Sequence, residues 1–170
     1  VRHARELSEG YFDVYRWDDL RFPGQAINPA GLLAPPTQDN TTGLLVFSGI
    51  ADNIVAGVAQ MPHAWKAGSS IYPHLHLIAT TSNAGKNSRW KFEYNRANNT
   101  ENFEVAYGSY NAMTVMTVPN PAATSQLLLP SGWGELSMAG YRESSCIMWR
   151  VSRLAASDAA DDDINDWVLV

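Results

Sequence analysis

From residue 44 onward, Gly, Pro and Asn cut the sequence into short β-prone runs, and this punctuation is what most restricts the fold. The runs are LLVFSG (44–49), NIVAGVAQMP (53–62), IYPHLHLIATT (71–81), SRWKFEYNR (88–96), NAMTVMTVP (111–119), SQLLLP (125–130), SSCIMWRVSRL (144–154) and DWVLV (166–170). In SRWKFEYNR the aromatics Trp90, Phe92 and Tyr94 alternate with Arg89, Lys91 and Glu93. Period-2 alternation of this kind marks a strand with one buried face. Polar connectors separate the runs: TSNAGKN (81–87), PNPAAT (119–124), PSGWGE (130–135) and SDAADDDIND (157–166). Short strands at regular spacing predict an all-β chain, an antiparallel β-sandwich or barrel. A turn of helix in TENFEVAYGSY (100–110) is the one helical expectation.

The N-terminal part reads differently. Residues 15–43 hold Pro23, Pro29, Pro35 and Pro36 with Gly24, Gly31 and Gly43, so neither a long helix nor a central strand fits. Trp17, Leu20, Phe22, Ile27, Leu32 and Leu33 are too many apolar side chains for a solvated tail. The expectation is an extended Pro/Gly-rich N-terminal arm over 1–43 that packs on its own domain or a neighbour, followed by a sandwich over 44–170. The chain ends in DDINDWVLV, within an expected strand, which predicts that the C-terminus is incomplete.

Composition narrows the function. A net charge of −5 argues against a nucleic-acid face, and no apolar stretch is long enough for a membrane helix. No basic-then-apolar start marks a secretory signal. Cys146 is the only cysteine, so an intramolecular disulfide is excluded, and it reads as a small buried hydrophobe.

Three of the four histidines fall in residues 61–80. His74 and His76, two apart in an expected strand, project from one face, which suits two imidazoles on one transition metal. His63 could add a third ligand from the preceding loop. Against a metal site, the next acid after His76 is Glu93. Both Pro62–His63 and Pro73–His74 also suit histidines that bond to their surroundings. The expectation is therefore a structural role, with no cofactor. No nucleophile elbow, phosphate loop or zinc-protease helix occurs, so no catalytic residue is expected. The acidic run at 158–166 misses the calcium-loop spacing and reads as a solvated turn. Trp133, in PSGWGE, is a candidate for stacking on sugars.

WDDLRFPGQAINPAG, then VAQMPHAWKAGSSIYPHLHL, then RWKFEYNRAN resemble a group of tailed-phage and prophage proteins of similar length. That group shows a Trp/Tyr-Asp-Asp-Leu-Arg opening and a Pro-His-Leu-His-Trp centre. Leu77 stands where the group often has Trp, and the group continues beyond this chain's end with an acidic, His-containing strand. The resemblance runs from Trp17 to Val170. It implies a non-enzymatic virion structural protein, located in the virion and assembled in the host bacterial cytoplasm. The expected shape is a jelly-roll-like sandwich. The expected role is a capsid decoration or cement protein binding the major capsid protein through Trp17, Leu20, Phe22, Ile27 and Leu32. A homo-oligomer, preferably a trimer, goes with it. The alternatives are a tail or fibre component that contacts the host surface, and a cupin-like metal-binding protein.

Overall fold

The computed structural model describes residues 34–106, 108–123, 126–128 and 130–170. Among them there is no helix; the expected helical turn at 100–110 is a series of bends and turns. The strands are β1 (Thr37–Gln38), β2 (Leu45–Phe47), β3 (Asn53–Gln60), β4 (Leu77–Ala79), β5 (Asn87–Ala97), β6 (Asn111–Ala112), β7 (Met116–Pro119), β8 (Leu127–Leu128), β9 (Cys146–Arg153) and β10 (Trp167–Leu169). They form two antiparallel sheets. One has the order β1-β2-β10-β4-β8, and the other has β3-β9-β5-β6 with β7 also on β5.

With β1 and β6 set aside, eight strands remain, and the chain crosses between the sheets as it winds. Their spatial order is first-eighth-third-sixth in one sheet and second-seventh-fourth-fifth in the other. This is the winding of a jelly roll, two Greek keys folded into a double sheet. The β-sandwich expected from the sequence is thus the observed fold. It also takes in part of the segment read as arm, because Thr37 and Gln38 pair with Val46 and Leu45. Residues 1–33, with the expected contact residues Trp17, Leu20, Phe22, Ile27 and Leu32, lie outside the described residues.

Alternation decides which side chains go inward. On β5 and β9, Trp90, Phe92, Trp149 and Val151 face the opposite sheet, and Phe47, Leu77, Ala79, Trp167 and Leu169 answer from it. Phe47 lies 5.0 Å from Trp90, ring centre to ring centre. Gly57 of β3 stands opposite Trp149, and a Cβ there would sit 2.5 Å from the indole. Only glycine lets that ring lie across the strand. The run 71–81 gives a strand only over Leu77–Ala79. Ile71 forms an isolated bridge to Leu136, and Pro73, which has no N–H to give, interrupts the ladder between them.

Candidate functional site

The two histidines of the PHLH run end up beside the sheet β1-β2-β10-β4-β8, whose strands are of two or three residues and which is called the shorter sheet below. Leu75 and Leu77 are buried inward, so His74 and His76 take the outward side. Their ring centres are 5.2 Å apart, with the planes tilted by 35°. His74 Nδ1 is 3.2 Å from the carbonyl oxygen of Tyr72. A carbonyl can only accept, so Nδ1 is the donor, and in the neutral ring Nε2 is the nitrogen with the lone pair. His63 does not join them. Its Nε2 lies 3.2 Å from Ser144 Oγ, next to the start of β9. Among the described residues no group of three His, Cys, Asp or Glu could hold a metal ion. The sandwich interior, where a cupin keeps its metal, is filled here by Phe47, Trp90 and Trp167.

The Ser144–His63 contact has the outline of a nucleophile and its base, and Ser144 sits at φ 66°. The amide of Ser144, however, donates to Met61 O and that of Ser145 to Arg142 O. Both amides are committed to backbone carbonyls, so neither serves as an oxyanion donor beside that hydroxyl. The φ value follows from the turn closed by the Ser145-to-Arg142 bond.

Two sequence expectations change. Trp133 is 4% exposed, donates its Nε1–H to Trp90 O at 3.1 Å, and packs its ring 5.2 Å from Phe92. It belongs to the core and offers no face to a sugar. The acidic segment is a turn that is solvated only in part: Asp162 and Ile164 are exposed, while the side chains of Asp161 and Asp163 are buried. Arg153 and Asp161 are fully buried side chains joined by bonds of 3.3 and 3.2 Å. Arg153 also donates to the carbonyls of Asn165, at 2.6 Å, and of Asp163. The Asp163 carboxylate accepts from Asn120 Nδ2 at 2.6 Å, Trp167 Nε1 at 2.9 Å, Asn83 Nδ2 at 3.3 Å and the Asn165 amide at 3.2 Å. Burial alone would raise its pKa; the donors outweigh that and hold it below the usual value. Asp158 pairs with Arg89 at 2.9 Å and Asp162 with Lys86 at 3.1 Å. These acids staple residues 157–166 onto the ends of β5 and β9.

The two outer faces differ. Across β5 and β9 the face is ionic: Glu93 holds Arg150 through bonds of 2.7 and 2.9 Å and Lys91 at 3.3 Å, and Arg150 lies 4.4 Å from the ring centre of Tyr110. On the shorter sheet the register lines up Thr37, Val46, Val168, Ile78 and Leu127 as outward residues. No charged side chain stands among them, and Leu127 is 51% exposed. Val170, beside His76 through its amide bond to His76 O, extends the stripe and is 43% exposed. No protein-family model, curated protein or solved structure matches the chain.

Proposed function

We propose that this chain is a non-enzymatic structural protein of a tailed-phage virion that decorates the capsid shell. The observation that carries the reading is the uncharged outer face of the shorter sheet, Val46–Val168–Ile78–Leu127, set on a rigid jelly roll. Such a surface suits a permanent contact, in which apolar area stays covered. Jelly rolls serve in capsids, lectins and cupins alike, so the fold alone does not choose among them. Burial of Trp133 and the filled interior weigh against the lectin-like and cupin-like uses. In this reading the segment before Ala34 binds the major capsid protein, and the sandwich docks beside it. Each contact need be only modest, at ~25 cal/mol per Å² of apolar area, because it is repeated over the shell.

The test is binding to shells stripped of this protein. The full chain should co-sediment with them, and a chain lacking residues 1–33 should stay in the supernatant while keeping its β-sheet circular dichroism. Cryo-electron microscopy of whole particles should place density on the capsid lattice. Density confined to the tail, or full decoration by the truncated chain, would overturn the proposal.

A further inference from the structure

We infer that His74 and His76 form half of a transition-metal site, and that the ion joins two copies of this chain. Three observations lead there. First, two imidazoles on one tetrahedral ion with metal–nitrogen bonds of ~2.0–2.1 Å have ring centres about 5.2 Å apart, against about 4.6 Å on an octahedral ion. The observed separation is 5.2 Å. Second, the Tyr72 carbonyl accepts from His74 Nδ1, which fixes the tautomer with Nε2 ready to coordinate. A backbone carbonyl on the second ring nitrogen is the usual support of a metal-binding histidine. Third, the pair borders the uncharged stripe: His76 is next to Val170, and Ile78 and Val168 follow on the same outward side.

Two ligands are fewer than the four of a closed tetrahedral site, and among the described residues no third His, Cys, Asp or Glu completes the set. A two-fold partner brings the same two residues and closes the shell with four imidazoles, since an isologous contact presents one patch to itself. The all-nitrogen set selects zinc, nickel or copper over calcium or magnesium. This arrangement pairs copies two by two, unlike the trimer expected from the sequence, and it stands or falls independently of where the chain sits in a particle.

The experiment uses the full chain, freed of metal by dialysis against EDTA. Zinc titrated by calorimetry should saturate at one ion per two chains. Sedimentation velocity should show the mass doubling with zinc and returning to the single chain with EDTA. Cobalt in place of zinc should give the strong visible bands of tetrahedral coordination. His74→Ala and His76→Ala should each weaken zinc binding at least tenfold, and His63→Ala should leave it unchanged. Equal affinity in wild type and both variants would overturn the site. Binding of one ion per chain without a change of mass would overturn the two-copy shell. Both histidines lie on the outward side, so a thermal melt matching wild type is the expected check that the variants fold.

Discussion

Arg153 shows at the scale of one residue how a charge can sit inside a β-sandwich. It shares the inward side of β9 with Trp149 and Val151 and stands opposite Trp90. A cation there is tolerable only if every donor finds an acceptor and the charge finds a carboxylate. Asp161 supplies the carboxylate for two donors, and the carbonyls of Asn165, Asp163 and Phe47 take the other three. Removing one partner of a buried pair costs more than the pair itself contributes, because the other charge stays behind. Asp161→Ala should therefore destabilise the chain by about 3–5 kcal/mol. Urea unfolding measures this directly, and a loss under about 1 kcal/mol would mean that water reaches Arg153. Gly49 makes a steric point at the same end. A Cβ there would lie 2.0 Å from the Ile164 carbonyl oxygen, backbone against backbone with nothing flexible to give way. Gly49→Ala should show a lowered melting temperature, at the upper end of the ~1–3 kcal/mol typical of overpacking or beyond it.

At the scale of elements, the segment 157–166 behaves as a clasp made of carboxylates. The Ala160 amide and Arg89 hold Asp158 below its ordinary pKa, and the Asn87 amide and Lys86 do the same for Asp162. In Asp163 the donors prevail over burial. All three pKa values are lower in the folded chain than in the unfolded one, so in acid the unfolded chain takes up more protons. The stabilisation is complete above the unfolded aspartate value of about 3.9 and is lost as pH falls through the folded values. The urea midpoint should be level between pH 7 and 5 and should drop below about pH 4. In Asp163→Asn the drop should be shallower. A midpoint that does not move down to pH 3 would show that the clasp carries no stability. The strands that were legible in the sequence are those whose pattern is local. The aromatic alternation of β5 and the aliphatic runs of β3 and β9 each declare their buried face within a few residues. The clasp was not legible, because Asn83 and Asn120 reach Asp163 from distant loops. One signal was present in the sequence: Arg153 has the inward parity of Trp149 and Val151, and DDD is the nearest run of acids that could answer it. Trp133 was misread for a similar reason. A tryptophan between two glycines gives no hint of whether the loop turns out or in.

At the scale of the whole molecule, the two sheets divide the work. The longer sheet carries the ionic group of Glu93, Arg150 and Lys91 across β5 and β9, with Val58 exposed on its edge strand β3. The shorter sheet puts its aromatic and aliphatic inner face into the core and leaves a second aliphatic row outside. An antiparallel sheet commonly leaves one face to solvent with polar residues outward, and this row departs from that alternation. On the proposed function, the outer row is the side that the shell covers. The argument predicts a separation of folding from assembly. Val168 is the central residue of the row, flanked by Val46 and Ile78, and it is half-buried by those neighbours alone. Arginine at that position can extend its stem over them and keep its charge in water, so the fold should survive with a change of at most about 1 kcal/mol. A partner surface closing over the row would have to desolvate that charge without a counter-ion, and association should be lost. Val168→Arg should thus keep the wild-type circular dichroism and melt within a few degrees of it, yet stay in the supernatant when mixed with stripped shells that the wild type co-sediments with. If the variant associates as the wild type does, the row is an ordinary solvent face and the contact lies elsewhere on the molecule.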